Sequence, residues 1–337
     1  MNLFNKKVII IDNSDLSYDG NDLDGVHIRG TETSLILLAE QFVKMKIKVD
    51  YCNSINKLTI VNGVKYYNKE NIDKNIFYDL AIVISDANEF RRVHSKKKAV
   101  FSNSNQPIEK FLRKKQLIPF LKYKPILITL CDYQYKKRSF FTSFYGKKTI
   151  PITVDPKFLN IDINENFLPD RKVIYNIRSN RNLNRLIRIW CEKIFPVNNN
   201  FKLYITPNII GYKDFHKKNN IFLRKIGSRL EMIEEMKNYR ALTYLGHKSD
   251  IFTLTAEEAI KMCLPVVTFG IGSLKERVTH NETGFIAKND QEFAEYTIKL
   301  LNDDDFYLDL KRKMKNKRKE NNWQFIANEW VSSFLNE

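Results

Sequence analysis

Two acids in the second half of the chain stand where a ligand could be bound. Asp250 lies in a polar loop after an apolar run, and Glu258 follows eight positions later, in the first turn of a predicted helix. Such a loop and helix start lie at the carboxyl end of a parallel strand, where doubly wound sheets bind ligands. Glu258 also follows Thr255 by three residues, the spacing of a capping box, so a purely local role is an alternative.

Two arginines, Arg178 and Arg181, form a second candidate group. They follow the apolar run 173–177 and precede a predicted helix that places Leu183 and Trp190 on one face. Two cations at a helix N-terminus suit a diphosphate, because charge-assisted hydrogen bonds, the guanidinium fork and the helix dipole all favour it. The alternative is a solvated basic loop without a ligand.

The elements around these residues predict parallel sheets in both halves of the chain. In the second half, apolar runs at 173–177, 201–205, 241–245 and 264–269 indicate buried strands, and the last run ends in Gly270 and Gly272. In the first half, strands are predicted at 8–12, 49–52, 80–84, 99–101 and 126–130, the last before the second domain. Strands that alternate with helices in this way favour an α/β class.

Two features of the first half bear on its function. Gly30 and Thr31 lead from a polar loop into a predicted helix, where free backbone N–H groups and the helix dipole favour an anion. A basic helix is predicted from 111 to 120.

The segment 242–284 resembles the donor-site signature of retaining GT-B glycosyltransferases, in particular glycosyltransferase family 4. It contains, in order, an acid, seven residues, Glu-Ala, Leu-Pro-Val-Val, Gly-x-Gly and Glu-Thr-Gly. The family's acidic pair reads Glu, seven residues, Glu, and here the pair is Asp250 and Glu258. Phe252 matches the family's aromatic residue two places after the first acid.

This resemblance implies an α/β GT-B fold, in which two doubly wound Rossmann-like domains face each other across a cleft. Residues 1–150 would form the acceptor-binding domain and residues 151–320 the nucleotide-sugar-binding domain. The terminal helix 321–337 would pack back on the first domain.

The resemblance also implies roles for individual residues. Arg178 and Arg181 would hold the donor diphosphate, Glu258 the ribose hydroxyls and Asp250 the hydroxyls of the donor sugar. The other expected donor-binding residues are Gly30, Thr31, Gly227, Leu230, Phe252, Thr253 and Leu254. No metal and no cofactor are implied, because the arginines and a helix end would neutralise the diphosphate.

The implied reaction moves a sugar from a nucleotide-diphosphate sugar to a hydroxyl of a glycan or lipid-linked acceptor, with retention of configuration. Cell-surface polysaccharide or glycolipid synthesis would be its setting. Two departures keep a catalytically degenerate transferase subunit as an alternative. Asp250 is one methylene shorter than the usual Glu, and no His follows 99–101, where the family often has one. His27 and His94 are candidates by sequence proximity alone.

Composition narrows the class of protein. The length of 337 residues accommodates two domains with full cores, and the hydrophobic content of 43% is that of a globular protein. No run approaches the roughly 18 apolar residues of a membrane span. The four cysteines are far apart and lack Cys-x-x-Cys spacing, which predicts reduced thiols in a cytosolic protein and argues against a zinc site.

The charge of the chain is concentrated in one segment. Residues 91–148 contain 16 Lys or Arg and two acids, Glu109 and Asp132, which accounts for +14 of the total of +17. Such a segment suits nucleic acid, or an anionic membrane surface or acidic substrate, and composition does not choose between them. Together with the resemblance, it predicts peripheral contact with an anionic membrane and makes a basic nucleic-acid-binding protein the less favoured alternative.

Overall fold

The computed structural model describes residues 3–24, 28–104, 108–138, 143–206, 214–225, 227–318 and 322–336. The chain divides into two compact units, the first formed by residues 1–155 and 321–337 and the second by residues 156–320. Each unit contains its own sheet, with helices around it. The predicted α/β class with two parallel-sheet domains is confirmed.

The first unit is built on an eight-stranded sheet in the order β3-β4-β2-β1-β5-β6-β7-β8. Its strands are β1 (Lys7–Ile11), β2 (Lys48–Asn53), β3 (Thr59–Val61), β4 (Val64–Asn68), β5 (Phe77–Ile84), β6 (His94–Phe101), β7 (Ile126–Thr129) and β8 (Lys147–Thr149). All neighbours pair in parallel except β3 and β4, an antiparallel hairpin turned at Asn62 and Gly63. Strand β8 follows β7 in the sheet, so the prediction that the 126–130 strand is the last of this half was wrong.

The helices of the first unit come from two separate parts of the chain. They are α1 (Gly30–Lys44), α2 (Ile108–Arg113), α3 (Leu117–Tyr123), α4 (Asp132–Lys137) and, from the end of the chain, α13 (Trp323–Phe334). The terminal helix α13 packs against α1, and Gln41 Nε2 donates to Gln324 Oε1 at 2.5 Å.

The single basic helix predicted at 111–120 is two helices, α2 and α3. The break is a Schellman-type end: Gln116 N–H donates to the Phe111 carbonyl and Lys115 N–H to the Leu112 carbonyl. Lys115 takes the left-handed conformation at φ +52° that this end requires. The Gln116 side chain then fixes the corner, because its Oε1 accepts from Ala87 N–H at 2.8 Å.

The second unit has a parallel six-stranded sheet in the order β11-β10-β9-β12-β13-β14. Its strands are β9 (Lys172–Tyr175), β10 (Lys202–Ile205), β11 (Ile221–Leu223), β12 (Ala241–Thr243), β13 (Val266–Thr268) and β14 (Gly284–Ile286). The chain moves outward from β9 through β10 to β11 and then returns to β12 on the other side of β9. The strand order therefore reverses between β9 and β12, which is the topological switch point of a doubly wound sheet.

The helices of the second unit connect these strands. They are α5 (Lys157–Asn160), α6 (Leu183–Ile189), α7 (Asp214–Lys218), α8 (Arg229–Met236), α9 (Leu254–Lys261), α10 (Leu274–Arg277), α11 (Asp290–Asn302) and α12 (Asp304–Lys317). Across the described ranges, no helix is both long and apolar enough to cross a membrane. Cys52, Cys131 and Cys263 are buried, Cys191 is half-buried, and all four are free thiols.

Candidate functional site

The predicted acid and arginine loops meet at the switch point of the second unit. The loop with Arg178 and Arg181 follows β9, and the loop with Asp250 follows β12. Strands β9 and β12 are parallel neighbours, with Leu242 opposite Ile174. Because the carboxyl ends of adjacent parallel strands share one edge, the two loops lie side by side although they are far apart in sequence.

Asp250 is held by three groups from these loops. Its Oδ2 accepts hydrogen bonds from Tyr244 Oη and, at 2.9 Å, from the His247 backbone N–H. Its Oδ1 lies 3.6 Å from Arg181 Nε. Burial, reinforced by the bond to Asp250, raises the pKa of Tyr244, so its hydroxyl remains a donor. The carboxylate is thus fixed in orientation, and Oδ1 is the oxygen with the fewer protein donors.

Arg181 is oriented by Asp250 and by an unexpected partner, His247. Arg181 Nη1 lies 2.7 Å from His247 Nδ1, which also accepts from the Ser249 backbone N–H at 3.1 Å. Because both partners of Nδ1 are donors, Nδ1 is unprotonated and a neutral imidazole carries its proton on Nε2. Arg181 Nη2 has no protein acceptor among the described residues. The guanidinium is therefore held on one side and retains N–H donors on another.

The arginine loop is attached to the acid loop through Asn182. This residue has the left-handed conformation at φ +63°, and its Nδ2 donates to the Gly246 carbonyl at 2.6 Å. Asn is among the few residues with a side chain that enter this region readily. Asn therefore fits the backbone conformation at the position directly before α6, and its side chain also joins the two loops.

The predicted Gly-x-Gly turn after β13 supports the acid loop from the other side. Ser273 N–H donates to the Asp250 carbonyl at 2.9 Å. Gly272 has φ +73°, and a Cβ there would lie 2.5 Å from the His247 carbonyl oxygen and 2.9 Å from that of Asp250. Such distances leave no room for a side chain, so glycine at 272 allows the two loops to pack.

Arg178 lies at the surface of the same edge. Its side chain is exposed and makes no ion pair or hydrogen bond with the described residues. Its backbone is fixed, because the Tyr175 hydroxyl lies 2.8 Å from the Arg178 carbonyl and 3.0 Å from the Arg181 carbonyl. Burial raises the pKa of Tyr175, which keeps this hydroxyl protonated. Arg178 is thus an exposed cation on a fixed loop.

Glu258 is on α9, the helix that follows the acid loop. The helix begins at Leu254, with Thr253 as its N-cap, so Glu258 lies in the second turn and the prediction of a first-turn position was wrong. Thr253 makes no capping bond, because its hydroxyl lies 3.1 Å from that of buried Ser273. The Phe252 ring stacks under the Arg277 guanidinium at 3.8 Å.

The remaining predicted donor-binding positions of this unit lie at the edge strand. Gly227 and Leu230 follow β11, and both are exposed. A capping box is present here: Glu231 N–H donates to Ser228 Oγ, and Ser228 N–H donates to Glu231 Oε2 at 2.7 Å. It fixes the start of α8, where these two residues lie.

Gly30 and Thr31 begin α1 of the first unit, and acids lie near them that the sequence did not single out. Asp12, at the end of β1, is buried and accepts from Tyr18 Oη at 2.6 Å and from Ser14 Oγ at 2.8 Å. Glu32 in the first turn of α1 is 7% exposed. Burial is the main reason why the pKa of Glu32 is raised, and the charge of Asp12 adds to it.

Other candidates from the sequence have simple outcomes. His94 begins β6 and is exposed, and His27 lies outside the described residues. Within the described ranges, no group of three or more His, Cys, Asp or Glu side chains is arranged to hold a metal ion.

His247 and Tyr244 are the site residues that sequence reasoning missed. Their signal was their position, three and six residues before Asp250 in the loop after a buried strand.

Comparison with known proteins identifies both the segment and the fold. Residues 213–321 match the family described as glycosyl transferases group 1. The chain is similar in structure to TarM, with a TM-score of 0.74, 13% identity and all of both chains covered. It also resembles sucrose-phosphate synthase from Thermosynechococcus elongatus, with a TM-score of 0.71, 12% identity and 98% of each chain covered.

A third similar structure is Anabaena HepE in complex with UDP and glucose. Its TM-score is 0.67 at 13% identity, and the match covers 98% of this chain and 100% of HepE. No curated protein sequence matches the chain. The predicted resemblance to glycosyltransferases is confirmed for the matched segment, and the fold is GT-B; the retaining class and membership of family 4 stay predictions.

Proposed function

We propose that this chain, a GT-B protein with a glycosyl transferases group 1 segment, transfers a sugar from a nucleotide-diphosphate sugar to a hydroxyl acceptor with retention of configuration. The observation that carries the proposal is the arrangement of Arg181, Asp250 and His247 at the switch point of the second unit. A guanidinium held on one side, with donors left on the other, suits the phosphate oxygens of a donor.

Arg181 and Arg178 would share the diphosphate. Arg181 is already oriented, so binding would cost little side-chain entropy, whereas Arg178 would become ordered only on the ligand. The diphosphate gains negative charge as its bond to the sugar breaks. Cations fixed before the reaction therefore stabilise the transition state more than the ground state.

The two acids would bind the neutral parts of the donor. Asp250 Oδ1 would accept from a hydroxyl of the sugar, while Oδ2 stays with Tyr244 and His247. Glu258 would accept from the ribose hydroxyls. Gly227 and Leu230, exposed at the start of α8, would contact the nucleotide base.

The reaction breaks the bond between the anomeric carbon and the diphosphate oxygen and forms a bond to the acceptor oxygen on the same face. The acceptor proton passes to the leaving phosphate oxygen. The first unit would bind the acceptor. Its hydroxyl and carboxyl groups around Asp12 and Glu32 suit a hydroxylated molecule.

A thermal-shift panel of uridine, guanosine and adenosine diphosphate sugars tests donor binding. A true donor at a hundred times its dissociation constant stabilises the protein by about 2.7 kcal/mol, which raises Tm measurably. The matching nucleoside diphosphate should shift Tm as well. A panel without any response, followed by absence of nucleotide-sugar hydrolysis, would contradict the proposal.

The basic segment 91–148 would dock the protein on an anionic membrane that holds a lipid-linked acceptor. Apolar side chains project from α2 and α3 between the lysines, and Ile118 is 73% exposed. Each Lys or Arg near such a membrane contributes about 1 kcal/mol. Binding to liposomes should require anionic lipid and weaken with salt. Binding that ignores salt, or no binding at all, would remove this part of the proposal.

A further inference from the structure

A pocket lies at the amino edge of the second sheet, away from the predicted donor site. It is formed by the ends of α8 and α9, the loop 162–167 and one face of α12, and its volume is about 270 Å³. Tyr239 and Leu264, which come shortly before β12 and β13, are part of its lining. The loops with Arg181 and Asp250 follow the carboxyl ends of β9 and β12, so the two places lie at opposite edges of one sheet.

The inner wall of this pocket is mostly apolar. Met236, Cys263, Leu264 and Tyr307 line it, and all four are buried. Cys263 is a free thiol, and burial raises its pKa to about 11, so it carries no charge at neutral pH. Thioether and thiol side chains pack well against hydrocarbon and aromatic groups. The wall therefore suits a ligand with an apolar body.

A buried cation, Lys311, reaches this wall from α12. The residue is 4% exposed, and its Nζ lies 5.4 Å from the Phe167 ring centre and 5.7 Å from the Tyr307 ring centre, two rings of the same lining. An ammonium group has three N–H donors. One of them bonds to the Phe167 carbonyl at 2.8 Å, and the other two have no acceptor among the described residues.

The charge of Lys311 is desolvated but not matched by an acid within hydrogen-bonding distance in the described part of the chain. Burial is the main reason why the pKa of Lys311 is lowered to about 8, so the group is still mostly protonated at neutral pH. A cation removed from water is costly unless an anion joins it. A bound carboxylate could accept from the two remaining N–H donors and relieve this cost.

The acids of the lining stand at the mouth of the pocket. Asp162 and Glu234 are both exposed, and neither forms an ion pair with Lys311 in the described ranges. Both carboxylate oxygens of Glu234 accept from Lys237 Nζ at 2.8 Å, so this acid is already neutralised at the rim. A second negative charge on a ligand would be repelled there by the Asp162 carboxylate. The charges therefore favour a ligand with a single anionic group.

We propose that this pocket binds a small organic acid with one carboxylate and an aromatic body. The carboxylate would accept from Lys311, and the body would pack against the Phe167 and Tyr307 rings. Pockets for drug-sized ligands measure roughly 300–1,000 Å³, so a cavity of about 270 Å³ suits a smaller molecule than a nucleotide sugar or a long fatty acid. This binding does not require that the chain transfers sugar.

The first test compares an acid with its neutral isostere. Phenylpropionate carries one carboxylate, and phenylpropionamide has the same body without the charge. Each is titrated by calorimetry into the full chain at neutral pH and constant ionic strength. We expect wild type to bind the acid at least about tenfold more tightly than the amide, because the bond to a desolvated ammonium group is charge-assisted. Binding of neither probe, or equal binding of both, would overturn the proposal.

Two lysines of α12 provide a matched pair of variants. Lys311→Met removes the cation of the pocket and keeps a side chain of similar length. Lys315→Met removes a cation on the next turn that pairs with Glu165 at 3.3 Å and is not part of the lining. Lys311→Met should bind the acid and the amide equally, while Lys315→Met should keep the wild-type preference. A preference that survives in Lys311→Met, or is lost in both variants, would overturn the proposal.

Phe167→Ala tests the pocket without changing Lys311, in case Lys311→Met fails to fold by circular dichroism and Tm. Phe167 is 42% exposed, and the variant keeps the carbonyl that accepts from Lys311. Loss of the ring should weaken both probes by a similar factor, about fivefold, and leave the preference for the acid in place. Unchanged affinity for both probes would overturn the assignment to this pocket.

A competition experiment separates this site from the predicted donor site. Saturating UDP should leave the affinity for phenylpropionate unchanged, because the two sites lie at opposite edges of the sheet. Displacement of phenylpropionate by UDP would overturn the proposal. Neither calorimetric probe contains a sugar or a nucleotide, so the failure of this site and the failure of sugar transfer are distinguishable.

Discussion

The carboxyl edges of the two sheets each hold an aspartate, but the groups around the two aspartates differ. Each carries a buried or half-buried aspartate that accepts a hydrogen bond from a tyrosine, Asp12 from Tyr18 in the first unit and Asp250 from Tyr244 in the second. Among the described residues, only Asp250 of these two aspartates forms an ion pair, with Arg181. At the first edge the side-chain donors to Asp12 are hydroxyl groups, while the second edge holds a fixed guanidinium.

The difference shows how one architecture can prepare two binding chemistries. A preformed cation suits a phosphate, whereas desolvated acids beside hydroxyl groups suit a neutral, hydroxylated molecule. Switch points in both sheets provide the place, but the neighbours of the aspartate determine what can bind there.

Removing the cation from the second edge should have the largest effect. In Arg181→Ala we expect kcat/KM for sugar transfer to fall about 10²–10³-fold, because a fixed donor to the developing charge is lost. Arg185→Ala is the matched control, since Arg185 lies on the next turn and is paired with Asp290 at the surface. Similar losses for both arginines would show that the contrast between the two edges has no functional meaning.

The glycine support of the acid loop can be tested in the same comparison. Gly272→Ala should lower the free energy of unfolding by at least about 2 kcal/mol, because it combines positive-φ strain with contacts to two backbone oxygens. Gly146→Ala, at φ +124° with open space around it, carries the strain alone and should cost less. Urea denaturation of both variants measures the difference. If the two costs are equal, close packing against the acid loop contributes nothing.

Removing the hydroxyl of Tyr18 or of Tyr244 tests how strongly the stability of each unit depends on that bond to its aspartate. Tyr18→Phe leaves Asp12 with Ser14 and, within the described residues, with no ion-pair partner, so we expect a loss of about 1–3 kcal/mol in unfolding free energy. Tyr244→Phe leaves Asp250 with the His247 N–H and Arg181, and about 0.5–1.5 kcal/mol should be lost. These values assume that Asp250 keeps more partners than Asp12. A larger loss of unfolding free energy for Tyr244→Phe than for Tyr18→Phe would contradict this.

The smallest effect concerns Glu32 of the first edge. Its pKa is raised by burial, so the folded state disfavours its ionised form. Below the pKa of the unfolded chain Glu32 is protonated in both states and carries no penalty, and the penalty grows as pH rises through the folded pKa. Glu32→Gln should therefore gain stability over wild type as pH rises from acid to neutral. Denaturation at several pH values measures this, and a constant difference would show that Glu32 is not desolvated.

Much of the second edge could be predicted from sequence because its signals are local. The apolar runs, the glycine turn and the placement of Asp250 after a buried strand all depend on neighbouring residues. The pairing of Arg181 with Asp250 and His247 was not predictable from spacing, because it joins residues about 70 positions apart through the adjacency of β9 and β12.

The errors have physical causes as well. The break between α2 and α3 depends on Lys115 adopting a conformation that glycine usually takes, so the sequence carried no glycine signal there. Strand β3 was not predicted, although Asn62-Gly63 is a favoured two-residue hairpin turn and so was a signal for it. Strand β8 contains two lysines and a threonine and has no apolar pattern, so only its parallel pairing with β7 identifies it.

The return of α13 to the first unit has a consequence for how the protein is made. The contact between Gln41 and Gln324 closes a chain loop of 283 residues, and such distant contacts form slowly because chain entropy opposes them. The second unit, continuous in sequence, can mature on the ribosome while α1 still lacks its covering helix. Nascent chains halted before residue 322 should therefore expose the α1 surface to chaperones and proteases, and emergence of α13 should protect it.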